Sequence, residues 1–234
     1  AKMVDGMMYG DQVKDAVKKM MKLEKDDDIP QLTLNDMLNV KGGKVEGSEI
    51  AVYYAEGDIV QDPKAATMFG NNNYIASRKV CKDLEDLMND DDVKAVVVRI
   101  NSGGGDAYAS EQMWHQMSEL RKVKPVVVSM GDYAASGAYY MSAPASWIVA
   151  QPNTLTGSIG IFAVIPDFSG LVTTKLGVRF DEVKTNRHST FGNLMARPFN
   201  AEETAMLQAS VNRGYSLFRQ RVADGRHLTI ESVE

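Results

Sequence analysis

The sequence predicts an α/β fold built on a mostly parallel sheet. Two observations carry that reading. Apolar runs such as AVVVRI (95–100) and PVVVSM (125–130) are continuous rather than alternating, the pattern of strands buried on both faces. Amphipathic stretches of helical period stand between them, so strands and helices alternate as in βαβ units. Each crossover is expected to be right-handed, with helices covering both faces of the sheet.

The elements follow in order. Asp11 can cap a helix whose Val13, Ala16, Val17, Met20 and Met21 share one face. LEKDDDIP stops it at Pro30. A short apolar segment, QLTLNDMLNV, precedes KGGKVEGSE, a polar, glycine-rich stretch from Lys41 to Glu49 that reads as a linker. The expected organisation is therefore a segment 1–40, a linker 41–49 and a regular region 50–234. IAVYYAEGDIV reads as a strand and its turn, and Ala76, Val80, Leu84, Leu87 and Met88 then recur at helical spacing. After the NDDD turn and the 95–100 strand, a second helix places Ala109, Met113, Met117 and Leu120 on one face. PVVVSM is the next strand, a short third helix is expected near Ala134, and SWIVA (146–150) is the strand after it. Asn200 and Glu203 form a capping box for a long final helix. Its expected buried face is Leu207, Val211, Tyr215, Phe218 and Val222.

Composition narrows the function. With 234 residues, 44% hydrophobic and 24% charged, the chain has the balance of a globular protein. A net charge of -5 and a pI near 5.3 argue against a nucleic-acid partner. No run approaches the length of a membrane span, and the opening AKMVDGMMYGDQVKDAV is too polar for a signal peptide. The single cysteine, Cys81, excludes an internal disulfide and reads as a small core-facing side chain. The methionines, 14 of them, are scattered singly or in pairs and read as core fillers.

Chemistry is expected beyond the C-terminal ends of parallel strands. Two loops leave such ends: NSGGGDAYAS (101–110) and GDYAASGAYY (131–140). The first fails as a dinucleotide fingerprint because Tyr108 stands where a third glycine is needed, and no Gly-Lys-Ser/Thr makes it a P-loop. It can instead offer backbone N–H groups to a developing oxyanion. The second surrounds Ser136 with alanines and glycines, similar in shape to a nucleophile elbow but without its usual GxSxG spacing. Either loop alone is equally a packing device; together, one supplies a hydroxyl and the other supplies donors. The expected geometry sets the Ser136 hydroxyl in a groove, close to a point also reached by the amides of Gly105 and Gly137. A serine needs a base. His115, His188 and His227, with Asp181 and Asp224 upstream of the last two, are candidates that no spacing singles out.

These residues resemble the signal peptide peptidase A (protease IV) family of serine proteases. The matching stretches are VVVRINSGGGDAYASE, KPVVVSMGDYAASGAYYMSAPA and QPNTLTGSIGIF (151–162), and the similarity continues to VADGRHLT. The first two are shared with the Clp proteolytic subunit and the crotonase fold; LTGSIG distinguishes the family. The resemblance implies a crotonase/Clp-protease-like superhelix of βαβ units and a Ser-Lys dyad. It assigns the nucleophile to Ser136, oxyanion donors to Gly104, Gly105 and Gly137, and a substrate groove to Thr156, Gly157 and Ser158. Gly103 stands where the family commonly has proline. No metal and no cofactor are implied.

The base is the departure. Where the family's lysine motif would align, VKTNRHS places Arg187, which stays protonated at any working pH. Lys184, three residues away, would point to the opposite face of a strand. The resemblance to the long, tandem members accounts for this. It implies that residues 1–40 close a preceding repeat, that 50–234 is a serine-bearing repeat truncated at its end, and that a missing N-terminal repeat supplies the lysine. It further implies hydrophobic peptide substrates such as cleaved signal peptides, a homo-oligomer, and a membrane-anchored protein facing away from the cytoplasm, the anchor not being in this chain. A crotonase-type acyl-CoA enzyme and a non-catalytic assembly repeat are the rival readings.

Overall fold

The computed structural model describes residues 18–19, 21–24, 49–62 and 73–233. The chain divides into two units, Ala1–Gly47 and Ser48–Glu234. In the first, Lys18, Lys19 and Met21 are helical. The rest of the Asp11 helix, the segment 31–40 and the linker as far as Ser48 lie outside the described residues; Glu49 already begins a strand.

In the second unit, β1 (Glu49–Glu56), β4 (Val93–Ser102), β5 (Val126–Ala135) and β6 (Trp147–Val149) form a parallel sheet in the order β1-β4-β5-β6. A further strand, β7 (Leu155–Gly157), joins β5 beyond the end of β6. Two short strands that the sequence did not separate, β2 (Asp58–Val60) and β3 (Tyr74–Ala76), make a small parallel sheet of their own. Helices α1 (Ser77–Asn89), α2 (Ala107–Val123) and α3 (Gly137–Ser142) provide the crossovers. The α/β class with a sheet of βαβ units is therefore what the chain adopts.

The core lies between sheet and helices. Val96, Val98 and Ile100 of β4 and Val126, Val128 and Met130 of β5 meet Leu84, Met113, Met117 and Leu120, all 2% exposed or less. The expectation that helices cover both faces is corrected: among the described residues they cover one. On the other face, Val52, Val97, Val127 and Trp147 form one row in register, and Tyr54, Arg99, Ser129 and Val149 the next. Val52 is 53% exposed, Tyr54 69% and Trp147 67%. Continuous apolar strands report that both faces are apolar; they do not say that one chain supplies both covers.

A second correction concerns the third helix, which starts at Gly137 rather than near Ala134. Residues 133–135 stay in β5 because they pair with β7. The final helix, α4 (Ala201–Arg226), has the expected capping box: the Glu203 amide donates to Asn200 Oδ1 and the Asn200 amide to Glu203 Oε2, both at 2.9 Å. Phe218 and Val222 are buried against Tyr140 and Ala143, whereas Leu207, Val211 and Tyr215 are half-buried. Between Ser158 and Asn200 the backbone is mostly irregular, with one π-helical segment, Gly170–Lys175.

Glu203 is 1% exposed and receives two hydrogen bonds from Arg197, at 2.7 and 2.8 Å. Those bonds, followed by the Asn200 amide, hold its carboxyl down to about 2. A depressed carboxylate contributes stability that is complete above the ordinary value of about 4.3 and is lost as pH falls through the folded value. Urea midpoints measured from pH 6 to pH 2 should therefore decline along an acid limb. Glu203→Gln should lower the midpoint at pH 6 and flatten that limb.

Candidate active site

Strand β5 is bent before it delivers Ser136. Ile100 pairs with Met130 and Ser102 with Ala134, so β5 carries extra residues opposite Asn101. Asn101 fills this bulge: its Oδ1 accepts from the Tyr133 amide at 3.3 Å, and a side chain on Gly131 would strike it at 2.8 Å. Thr154 Oγ1 donates to the Gly131 carbonyl at 2.8 Å and tethers the approach to β7. Bulges re-aim the residues that follow them. Ser136 then takes φ 51° and ψ -121°, a strained backbone for a serine. Two hydrogen bonds of 2.9 Å hold it there, from its amide to the Gly157 carbonyl and from the Tyr140 amide to its own carbonyl.

The glycine loop comes off the neighbouring strand and meets this turn backbone to backbone. Gly104 and Gly105 have φ of +100° and +153°. A methyl group on Gly104 would stand 2.7 Å from the Gly137 nitrogen and 2.8 Å from the Ser136 Cβ. One on Gly105 would stand 2.2 Å from the Ile59 carbonyl oxygen. Strand β2 fixes the loop from outside, through Ile59 N to Gly104 O and Asp106 N to Ile59 O, both 2.9 Å. Asp106 then caps α2 by accepting from the Ala109 amide at 2.7 Å.

The amides differ. Gly104 N donates to Ser102 Oγ at 3.1 Å. The Gly105 amide has no acceptor among the described residues, and Gly137, first in α3, has none within its helix. These two groups are close together, since a methyl on Gly137 would lie 3.3 Å from the Gly105 nitrogen. Gly104, Gly105, Ser136, Gly137 and Ser158 all line one cavity of about 1060 Å³. Its remaining wall is largely apolar, with Ile159, Ile161, Phe162, Leu217 and Phe218. A serine on strained backbone, two adjacent open N–H groups and a largely apolar cavity form an arrangement suited to acyl transfer.

The expected groove stretch divides by role. Ser158 lines the cavity, the Gly157 carbonyl holds the Ser136 amide, and Thr156 Oγ1 donates to the Ala134 carbonyl at 2.8 Å. Among the described residues lining the cavity there is no His, Lys or Arg. Lys184 pairs with Glu182 at 3.2 Å, and Arg187 and His188 pair with Glu202 at 2.5 and 3.3 Å. His227 caps the far end of α4 in the left-handed region. Sequence reasoning missed the Asn101-filled bulge, although a Gly-Asp-Tyr interruption at the end of an apolar strand is the kind of signal that could have found it.

A family model described as peptidase family S49 matches residues 118–234. The chain is 35% identical to Protease 4 of Salmonella typhi over 234 residues, which is 100% of this chain and 36% of that protein. It is 30% identical to the chloroplastic serine protease SPPA of Arabidopsis thaliana, covering 100% of this chain and 35% of that one. The chain thus spans about a third of the length of these relatives. Among solved structures, a ClpP1 mutant from Listeria monocytogenes aligns with a TM-score of 0.47 and 14% identity, over 78% of this chain and 75% of that chain.

Gly105→Ala should be poorly tolerated, because both its φ and its contact with Ile59 exclude a side chain. The expected outcome is a loss of roughly 1–3 kcal/mol in urea unfolding, together with faster hydrogen exchange at the Asp106 amide, whose acceptor is the Ile59 carbonyl. Unchanged exchange at Asp106 would contradict the close contact.

Proposed function

The chain belongs to peptidase family S49, and on that premise we propose that it is the nucleophile-bearing part of a serine peptidase, with Ser136 as the nucleophile working with a lysine that a second domain brings to the cavity. The observation that carries this is the meeting of the strained Ser136 with the open Gly105 and Gly137 amides in one cavity. Ser136 Oγ attacks the scissile carbonyl and its proton passes to the neutral lysine amine. The carbonyl oxygen, now negative, is held by the Gly105 and Gly137 N–H groups. The lysine returns the proton to the leaving amine, and the acyl-enzyme is then cleaved by a water that the same lysine activates.

The substrate of this reading is an extended, hydrophobic peptide of the kind left by cleaved signal peptides. The apolar cavity supports it, and so does the backbone of residues 159–162, which has no backbone acceptor among the described residues and is open to strand pairing. The reading that the lysine comes from a preceding repeat is supported by Lys184 and Arg187, neither of which lines the cavity and each of which is paired with a glutamate. The uncovered apolar row of Val52, Val97, Val127 and Trp147 on the sheet supports association with further copies of the fold. The protein would act at a membrane, on the side away from the cytoplasm. Among the described residues no helix is long and apolar enough to cross one.

Alone, this chain is expected to cleave peptides only at background rate. Joining it to the domain that carries the lysine should raise kcat/KM by about a thousandfold or more, the usual scale for a missing base. Ser136→Ala in the joined protein should abolish the gain, and Lys184→Ala should change it by less than about twofold. Robust Ser136-dependent cleavage by the chain on its own would overturn the two-domain reading.

A further inference from the structure

The wall of the Ser136 cavity contains a charged cluster that peptide cleavage does not use. Glu111 stands on α2, one turn past its start, and Tyr140 on α3, one turn past Ser136. Tyr140 Oη donates to Glu111 Oε2 at 2.5 Å. From α4, Arg221 donates to Glu111 twice, Nη2 to Oε1 at 2.6 Å and Nε to Oε2 at 3.4 Å. The guanidinium also lies over the Trp114 ring, 3.6 Å from its centroid. Glu111 and Tyr140 line the cavity, whereas Arg221 stands behind them.

A carboxylate beside the apolar residues of the wall, as Glu111 is beside Phe218 and Leu217 among the residues that line the cavity, is a recognition element for a cationic side chain. Arg221 already fills that role from outside. A lysine or arginine of the substrate entering here loses its hydration and meets a carboxylate whose charge is matched, with a guanidinium behind it. The other acids on the cavity lie at the glycine-loop end. Asp106 accepts from the Ala109 amide and from Gln61 Nε2, and Asp58 is exposed on β2.

We propose that Arg221 is a specificity-determining residue: by neutralising Glu111 from behind, it makes the cavity select uncharged, apolar side chains and reject basic ones. This rests on the reading of Ser136 as the nucleophile. It predicts opposite changes of preference when the two charges are removed separately, which a purely structural role for the pair cannot produce.

The test uses the full-length parent protein at pH 8 and fluorogenic peptides that differ only in carrying Leu, Lys or Glu at the residue whose carbonyl is attacked. Arg221→Met should raise the Lys-to-Leu ratio of kcat/KM by roughly 10- to 100-fold, the usual scale for a newly available charge pair. Glu111→Gln should lower that ratio and improve the Glu peptide, because the guanidinium then stands unmatched. The double variant should return the Lys-to-Leu ratio to within about threefold of the parent. Thermal melts accompany each variant, and if Arg221→Met does not fold, the Glu111→Gln arm decides. Parallel loss on all three peptides with unchanged ratios would overturn the inference while leaving Ser136-dependent cleavage, and so the site, intact. Cleavage of the Leu peptide that survives Ser136→Ala in the parent would instead overturn the site itself and the inference with it.

Discussion

Backbone has to touch backbone where the two loops meet, and most of the second unit is arranged around that contact. The Gly104 Cα approaches so closely that a methyl group there would lie 2.9 Å from the Ala135 carbonyl oxygen as well as 2.7 Å from the Gly137 nitrogen. Only adjacent, parallel strands ending at the same level can present two loops in this way, so β4 and β5 must be neighbours. The Ser110 hydroxyl seals the joint from the helix side, 2.3 Å from where a Gly137 side chain would begin. Helices α2 and α3 therefore start from one point, and their later contacts follow from that start.

The contact also explains where strain is tolerated. A serine with positive φ costs roughly 1–3 kcal/mol and persists only where its surroundings over-determine it. Two positions either side of Ser136 stand Ala134 and Ala138, both wholly buried, and its amide and carbonyl are both hydrogen-bonded. The bulge at Asn101 absorbs the mismatch between a strand that must pair with β6 and a turn that must pair with β7. Local irregularity at Gly131–Tyr133 is thus the condition for regularity on either side of it.

Much of this was legible in the sequence because apolar period and glycine placement are local signals. The β4, α2 and β5 sequence, the Asn200–Glu203 box and the pairing of loops 101–110 and 131–140 were readable from residue spacing alone. The serine and its glycines stood out only because two small-residue loops leave strand ends together, and the family resemblance then assigned their roles. What was not legible depends on long-range pairing. Thr156 belongs to the expected groove by motif, yet its hydroxyl reaches across to Ala134, which only the β5–β7 register reveals. The uncovered sheet face was misread because Val97 and Val127 are apolar whether a helix or another molecule covers them. Glu111 and Arg221 are 110 positions apart and carry no spacing at all.

The same physical requirement links the open surfaces to the proposed lysine base. A lysine amine can take a proton from serine only if its pKa falls by several units from about 10.4, and burial away from water is the means of lowering it. A lysine reaching an exposed serine from a flexible arm would remain charged. On the proposed mechanism, then, the domain that brings the lysine must also bring a cover that excludes water from the cavity mouth. Phe162 lines the cavity and is 85% exposed, and Val164 beyond it is 83% exposed, so an apolar rim is already in place for such a cover. Burying two side chains of that size stabilises a contact by roughly 3–6 kcal/mol before the cost of association. That is enough to matter and too little to hold a domain alone. Further contact area is needed, and the uncovered row led by Val52 is apolar surface of the required kind.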